Sequence, residues 1–401
     1  MEFAIWTLKV YGHIVQRGLI FPHVWIHLNL CVFLSEETAG SLSAAGFVFY
    51  KNWVIFVLCT NLNIMITFFE NENLRYAMIG SGSWATALVK LLLNHQQSIS
   101  WFMRNQKNID NIRENHHSRS YLQSVLLDPT RLNMSTDINE VIESADVLVF
   151  AVPSAYFMGV MQNFTGSLEN KFIISAIKGF VAENNLTIAE YFNQVHGVPF
   201  DRIGIISGPC HAEEVSMERL SYLTLTSKHI EVARALCEVF ACKYIKTTPS
   251  TDIYGVEFAA ALKNIYAIAA GICHGLGYGD NFMAVLMTNA FHELASFLNA
   301  THPDKNRVVK SAAYLGDLLV TGYSQFSRNR TFGNMIGKGY SVKSAQVEMS
   351  MVAEGYYASR CIHEINKEYR IDMPIAEAVY LILYEERYPP FVIKQLTEEL
   401  F

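Results

Sequence analysis

The chain has 401 residues, which is enough for two domains and a large hydrophobic core. Its 31 basic and 37 acidic residues give a net charge of −6, and no run of Lys or Arg occurs. This balance argues against a nucleic-acid-binding surface. Seven cysteines are scattered without the C-x-x-C spacing of a zinc or redox site. We therefore expect a reduced cytoplasmic protein with no disulfide framework and no metal site.

The first 70 residues have a lower charge density than the rest of the chain. They carry seven charged residues, whereas the remaining 331 carry 61. Two uncharged stretches, 18–35 and 52–69, approach the length of a membrane span, but Pro, His or Asn residues interrupt them. Neither stretch has the pattern of a secretory signal. Three interpretations stay open for this extra segment: a membrane anchor, an additional packed element, or translation from an upstream start codon. We favour the third, with Met65 as the working start, and expect membrane contact only if 1–70 is a real anchor.

From residue 74 onward, short apolar runs alternate with helical patterns such as 85–93 and 138–144. Apolar strands that alternate with helices are typical of a parallel sheet covered on both faces. We therefore predict an α/β fold with a doubly wound, Rossmann-type dinucleotide-binding domain over 71–253. The predicted strands are 75–79, 99–103, 147–152, 172–177, 203–207, 222–226 and 244–246, with a weaker one at 133–135.

The strand patterns stop near residue 252, and only helical patterns follow. The predicted helices are 255–271, 284–298, 308–315, 344–367 and 376–384. We predict an all-α substrate-binding domain over 254–401, with the substrate held beside the cofactor in the cleft between the two domains.

A glycine turn follows the first predicted strand and opens a helix. It reads Gly80-Ser-Gly82-Ser-Trp84-Ala85, a G-x-G-x-x-A pattern. Gly80 allows the turn and Gly82 allows close approach of a pyrophosphate to the helix N-terminus. By itself the pattern is also compatible with an ordinary strand–helix turn, but the strand and helix around it favour a dinucleotide site.

The second predicted strand ends at Arg104, and no acidic residue follows before Asp110. In this fold an acidic residue here binds the ribose 2′-hydroxyl of NAD, whereas an Arg accommodates the 2′-phosphate of NADP. Arg104 therefore favours NADP, or use of both cofactors. The alternative is a solvated Arg at a strand end.

Lys263 lies in the middle of the predicted helix 255–271, which is apolar nearly all round and should be buried. A buried lysine is costly unless it is paired or functional, and burial lowers its pKa toward values useful for proton transfer. Glu257, six residues earlier, is not on the i, i+4 ridge. A functional Lys263 is our preferred interpretation; pairing with a distant carboxylate is the alternative.

Three more segments carry candidate ligands at the ends of strands or in loops. Lys178 directly follows the strand 172–177 and can face the crevice, and a rigid Ser-Gly-Pro turn ends at Cys210. Arg328 and Asn329 together suit a phosphate. Each segment has a structural alternative as a surface loop. A catalytic dyad or metal pair of Cys210 and His211 is disfavoured, because adjacent residues on a turn rarely face each other.

These segments, in this order and at this spacing over about 72–395, resemble the NAD(P)-dependent glycerol-3-phosphate dehydrogenase family of bacterial type. The matching pieces are 80–87, 151–154, 178–179, 207–209 with 212 and 214, 255–257, 261–264, 275–281, 316–318, 327–330 with 332–333, 354–355 and 373–375.

The resemblance implies reversible hydride transfer between NADP or NAD and dihydroxyacetone phosphate, giving sn-glycerol 3-phosphate for phospholipid synthesis. It implies that Lys263 handles the proton at the substrate C2 oxygen and that Lys178 contacts both substrate and cofactor. It assigns the substrate site to Lys178, Gly208, Cys210, Asp317, Ser327, Arg328 and Asn329. With the glycine turn, it assigns the cofactor site to Gly80, Gly82, Ser83, Trp84, Arg104, Lys178, Ala212, Arg328, Val352 and Glu354. The oligomeric state stays open, with a homodimer as one option.

The chain departs from the family pattern at three places. Ala85 replaces the third glycine of the turn, which the fold tolerates. Cys210 replaces the usual Ser or Thr, so a weak thiol donor stands where a hydroxyl is expected. The family also lacks residues 1–70. Two rival functions are another dehydrogenase, of the hydroxyacid or 6-phosphogluconate type, and a membrane-tethered nucleotide-binding protein without catalysis.

Overall fold

The computed structural model describes residues 68–69, 71, 73–349 and 351–401, which belong to one compact unit. Apart from residues 68 and 69, the segment 1–70 lies outside the described residues, and so do the three interpretations offered for it. The division of the remainder at 253/254 stays a prediction.

Eight strands form one sheet in the order β3-β2-β1-β4-β5-β6-β7-β8. The first six are parallel, β7 runs antiparallel to β6, and β8 is parallel to β7. The mainly parallel, doubly wound sheet is confirmed, and each predicted strand is present. The strands are β1 (Tyr76–Ile79), β2 (Ile99–Phe102), β3 (Leu132–Ser135), β4 (Val147–Phe150), β5 (Phe172–Ser175), β6 (Ile203–Ser207), β7 (Ser221–Ser227) and β8 (Ile245–Ser250).

Strand β1 lies between β2 and β4, so the chain order reverses on its two sides. Met78 of β1 pairs with Trp101 on one side and Val149 on the other. The strands β1, β2, β4 and β5 are buried along their whole length because helices cover both faces of the sheet. A crevice at the carboxyl end of β1 is the expected ligand position in this architecture.

Helices connect the strands of the sheet. They are α1 (Ser83–Leu92), α2 (Gln106–Asn115), α3 (Ile138–Glu143), α4 (Ser154–Met161), α5 (Ile188–His196), α6 (Ala212–Ser216) and α7 (Ile230–Phe240).

After β8 the described chain is helical. The helices are α8 (Ile253–Gly275), α9 (Asp280–Thr301), α10 (Asp317–Tyr323), α11 (Arg328–Gly337), α12 (Val342–Glu348), α13 (Glu354–Tyr369), α14 (Pro374–Tyr384) and α15 (Pro389–Glu399). The helical C-terminal part is confirmed.

Two of the predicted helices are wrong in detail. The helix predicted at 308–315 is instead a π-helical turn, Ala312–Gly316, that leads directly into α10. The helix predicted at 344–367 is two helices, α12, which ends at Glu348, and α13, which begins at Glu354. The pattern also missed α10, α11 and α15.

The 23-residue helix α8 is the centre of the helical part, and nearly all of its residues are buried. Among the described residues it is the one helix long and apolar enough to cross a membrane, and its most apolar window is fully buried inside the protein. The Asp252 side chain caps its first turn by accepting from the Gly255 N–H at 3.0 Å. The same carboxylate accepts from Arg307 Nε at 2.5 Å, which fixes the start of the helix.

Glycines allow α8 and α11 to pack with their backbones in contact. A Cβ atom added to Gly333 would lie 2.1 Å from the Ile268 oxygen, and one added to Gly271 would lie 2.1 Å from the Arg330 oxygen. Gly275 and Gly337 make equally close contacts one turn further on, where a Cβ would meet backbone atoms at 2.5 and 2.3 Å. No larger residue fits at these four positions without moving one helix.

We expect Gly333→Ala to destabilise the protein, because its methyl group would force α11 away from α8. The free energy of unfolding, measured by urea denaturation of the full chain, should fall by about 1–3 kcal/mol or more. Gly159→Ala is the matched control, since a Cβ at this exposed helical position meets nothing within 4 Å. The control should change stability by less than about 1 kcal/mol, toward greater stability. Equal effects of the two substitutions would contradict the packing argument.

Candidate active site

A cleft lies at the carboxyl end of the sheet and is lined by both the sheet part and the helical part. Its walls are formed by the α1 N-terminus, the loops after β4, β5 and β6, the middle of α8, and the start of α11. It is lined by these predicted site residues: Gly82, Ser83, Trp84, Lys178, Cys210, Ala212, Lys263, Asp317, Ser327, Arg328, Asn329, Val352 and Glu354. The cleft therefore brings together residues that are far apart in sequence.

The glycine turn leaves room and hydrogen-bond donors for an anion. A Cβ added to Gly82 would meet nothing within 4 Å, and among the described residues no side chain caps the α1 N-terminus. The first turn of α1 contains no acidic residue. Free N–H groups, the positive end of a helix and open space fit a dinucleotide pyrophosphate.

Gly80 begins this turn, at the carboxyl end of β1. It has φ +124°, and an added Cβ would lie 2.5 Å from the Ala151 oxygen. Its own oxygen accepts a hydrogen bond from Trp101 Nε1 at 2.6 Å. The residue must therefore be a glycine for the chain to pass between β1 and the loop after β4.

Two lysines share one buried aspartate at the centre of the cleft. Lys263 of α8 forms a salt bridge with Asp317 at the start of α10, and Lys178 Nζ lies 4.0 Å from the other oxygen of the same carboxylate. The side chains of Lys263 and Asp317 are only 4% and 2% exposed. Glu257 does not pair with Lys263; its carboxylate accepts a hydrogen bond from the Ala189 N–H of α5 at 3.2 Å. The partner of Lys263 is therefore a carboxylate distant in sequence.

The pKa of Lys263 is lowered to about 7, mainly because burial disfavours the charged amine. Asp317 opposes this shift and Lys178 adds to it by like-charge repulsion. A lysine in this state can both donate and accept a proton near neutral pH. Pairing with a carboxylate and a functional role, which are alternatives at the level of the sequence, are thus compatible.

A chain of amides links the elements around the lysines. Asn264 Nδ2 donates to the Lys178 oxygen at 3.1 Å, and Asn329 Nδ2 donates to Asn264 Oδ1 at 2.9 Å. Asn329 Oδ1 accepts from the Gly355 N–H at 2.9 Å. Asn329, predicted to hold a phosphate, therefore has one remaining N–H for a ligand, and its other groups fix the geometry of the cleft.

Arg328 is the first residue of α11 and crosses the cleft toward the glycine turn. Its Nη2 lies 3.5 Å from Ser83 Oγ on α1. Ser327 caps α11 by accepting from the Arg330 N–H at 3.3 Å. The guanidinium and the helix N-terminus present positive charge to the same part of the cleft, which suits a phosphate.

The turn after β6 contributes Gly208 and Cys210 in different ways. Gly208 has φ +114°, and an added Cβ would lie 2.6 Å from the Tyr222 oxygen, so its role is to form the turn. The Cys210 thiol donates to the same Tyr222 oxygen at 3.1 Å. Burial raises the pKa of this thiol to about 12, so it stays protonated. The thiol is thus engaged with the neighbouring strand.

Glu354, at the start of α13, connects the helical part to the sheet part. Its carboxylate accepts from the Ser154 N–H at 2.8 Å and from the Ser154 hydroxyl. Burial raises the pKa of Glu354 to about 7, although the Ser154 hydrogen bonds oppose the shift. Val352 and Ala212 line the cleft beside these groups.

Three predicted residues do not line the cleft. Gly80 and Gly208 support it through their backbone conformation. Arg104 is exposed, and its guanidinium lies over the Tyr156 ring with Cζ 5.6 Å from the centroid.

Comparison with known proteins identifies the family. A family model described as the N-terminus of NAD-dependent glycerol-3-phosphate dehydrogenase matches residues 75–233, and its C-terminal counterpart matches 252–394. A curated relative from Bacillus pumilus, named glycerol-3-phosphate dehydrogenase [NAD(P)+], is 34% identical over 78% of this chain and 90% of its own. A relative of the same name from Latilactobacillus sakei is 35% identical over 77% of this chain and 92% of its own.

The chain belongs to the NAD-dependent glycerol-3-phosphate dehydrogenase family. Among solved structures, glycerol-3-phosphate dehydrogenase from Coxiella burnetii is 27% identical with a TM-score of 0.74, covering 82% of this chain and 99% of that one. The Plasmodium falciparum enzyme, 23% identical with a TM-score of 0.72 over 82% of this chain and 97% of its own, shares the fold.

Sequence reasoning did not assign three residues that line or organise the cleft. Asn264 carries the amide chain, and its position next to Lys263 was the available signal. Thr321 lies four residues after Asp317, donates to its backbone oxygen at 2.6 Å, and lines the cleft. His211 also lines the cleft, where burial and then the neighbouring lysines lower its pKa to about 4, so the imidazole is neutral. The disfavoured dyad of Cys210 and His211 does not form.

We expect Asp317→Asn to lower the pKa of Lys263 below about 7. The substitution removes the negative charge that opposes desolvation and leaves two amines close together. With Lys263 as the expected proton donor for ketone reduction, the alkaline limb of the kcat profile should move to lower pH by about one unit or more. Glu238→Gln, on the exposed face of α7, changes the formal charge equally and should leave the limb in place. An unmoved limb in Asp317→Asn would refute the coupling.

Proposed function

We propose that this chain catalyses reversible hydride transfer between NAD(P)H and dihydroxyacetone phosphate, giving sn-glycerol 3-phosphate. The single observation that carries the proposal is the buried group of Lys263, Asp317 and Lys178, which faces the glycine turn and Arg328 in one cleft. The family membership supports the same reaction. We further propose that the product enters phospholipid synthesis in the cytoplasm. A homodimer stays one option for the assembly.

Positive charge binds and orients the substrate in this proposal. Arg328, with the α11 N-terminus and Ser327, holds the phosphate because a guanidinium fork and free backbone N–H groups match phosphate oxygens. Asn329 adds its remaining N–H. Lys178 adds charge between phosphate and carbonyl, and its contact with Asp317 limits its movement.

Lys263 moves the proton. Reduction turns the ketone oxygen at C2 into a hydroxyl, so negative charge develops on that oxygen and a proton must arrive there. The Lys263 ammonium stabilises this charge and donates the proton; in the reverse direction the neutral amine accepts it. Asp317 keeps enough of Lys263 protonated for this role, because without the carboxylate burial would favour the neutral amine.

The dinucleotide, when bound, supplies or accepts the hydride. The chain's own part is to hold it: Gly80 and Gly82 admit the pyrophosphate, and Ser83 and Trp84 lie on α1 beside it. We assign further contacts to Arg104, Lys178, Ala212, Arg328, Val352 and Glu354. In the substrate site we assign Gly208 and Cys210 to the wall formed by the turn after β6.

Lys263→Ala should reduce turnover by about two to four orders of magnitude, because the proton donor is lost while the dinucleotide site is intact. Lys263→Met should behave alike, since it keeps most of the apolar stem and fills the space. NADP⁺ binding, measured by calorimetry, should stay close to that of the unmodified protein. Lys338→Ala, at an exposed position at the end of α11, is the control and should retain full turnover. Near-normal turnover in both Lys263 variants would end the assignment.

Steady-state kinetics with dihydroxyacetone phosphate and each reduced cofactor test the reaction and the cofactor preference together. We expect rapid oxidation of NADPH, with a kcat/KM above that for NADH, because Arg104 occupies the position that contacts the ribose 2′ substituent. A tenfold preference for NADH, about 1.4 kcal/mol, would refute this role of Arg104. Activity on hydroxyacids or 6-phosphogluconate, without activity on dihydroxyacetone phosphate, would favour the rival dehydrogenases.

A further inference from the structure

Arg104 and Tyr156 meet across the glycine turn. Arg104 follows β2 and Tyr156 lies on α4, which follows β4, so their elements flank β1 on opposite sides. The Arg104 guanidinium lies over the Tyr156 ring, with Cζ 5.6 Å from the centroid. A ring face attracts a guanidinium through its negative quadrupole, with a modest energy at exposed sites.

Arg104 keeps its hydrogen-bond donors available in this contact. Among the salt bridges of the described residues, Arg104 pairs with no carboxylate, and it is exposed to solvent. A solvated arginine has many rotamers, and stacking on an aromatic face restricts them without using the N–H donors. The ring therefore orders the side chain and leaves its edge free for an anion.

Tyr156 is itself held in place. The residue is 47% exposed, and its helix α4 packs against α13. The helix that carries the Tyr156 ring is thus packed where the sheet part meets the helical part.

We propose that Tyr156 is a positioning residue that holds Arg104 over the glycine turn for the 2′-phosphate of an adenosine ribose, and so contributes to selection of NADP over NAD. This inference rests on the cofactor preference in the proposed function. Cofactor selectivity would then depend on Tyr156 of α4 as well as on Arg104 at the end of β2.

Calorimetric binding of NADP⁺ and NAD⁺ to the full chain, without substrate, tests this role independently of turnover. The quantity to compare is the ratio of the NAD⁺ Kd to the NADP⁺ Kd. Tyr156→Leu removes the ring face and keeps apolar bulk on a helix, so the ratio should fall about three- to fivefold. Tyr156→Phe and Tyr156→Trp keep a ring face and should stay within about twofold of the unmodified protein or exceed it.

The variant Arg104→Gln tests whether Tyr156 acts by positioning Arg104 or by contacting the cofactor itself. Alone, it should lower the ratio by about tenfold or more, because a charge-assisted contact to the phosphate is lost. In the Arg104→Gln background, Tyr156→Leu should cause no further fall, since the ring acts through the guanidinium.

Three results would overturn the inference. The first is an unchanged ratio in Tyr156→Leu, and the second is an equal fall in both backgrounds. The third is an unchanged ratio in Arg104→Gln, which would also remove the NADP preference. Reduction of dihydroxyacetone phosphate by the unmodified protein is measured separately. That measurement tests the dehydrogenase proposal, whatever the role of Tyr156.

Discussion

The contact between the backbones of α8 and α11 is the constraint on which the cleft depends. Four glycines at the crossing let the helices approach until an added Cβ would overlap a backbone atom. This approach puts the start of α11, with Arg328 and Asn329, beside the middle of α8, with Lys263 and Asn264. A bulkier residue at the crossing would move the start of α11 away from Lys263.

The amide chain and the Asp252 cap extend this constraint to the sheet. Asn264 binds the backbone of Lys178, so the loop after β5 is tied to α8. Asp252 fixes the first turn of α8 just after β8 ends. Helix α8, which carries Lys263, is therefore attached to the sheet at its start and at its middle.

The electrostatics of the cleft follow from its burial. Two amines, those of Lys263 and Lys178, lie beside one carboxylate, that of Asp317, and this arrangement suits an anion. Burial lowers the pKa of Lys263 to about 7, so its amine can take either protonation state near neutral pH. Cys210 fits this scheme without a hydroxyl, because its thiol is directed to the backbone of β7.

The sequence by itself determined the strands, the glycine turn and the buried lysine, because apolar runs, a positive-φ turn and a charge in an apolar helix are local signals. The antiparallel placement of β7, the break between α12 and α13, and the whole of α11 depended on tertiary structure. Helix α11 has few apolar residues, and Phe332 and Ile336 are its buried apolar side chains. Its closest contacts with α8 are made at Gly333 and Gly337, so its apolar pattern is too short to mark a helix in the sequence. Only the fold could assign Asp317 to Lys263, since 54 positions separate them and several acidic residues were closer in sequence. The pairing of a lysine with a distant carboxylate depends on which chain segments meet in space. Local sequence patterns do not show which segments meet.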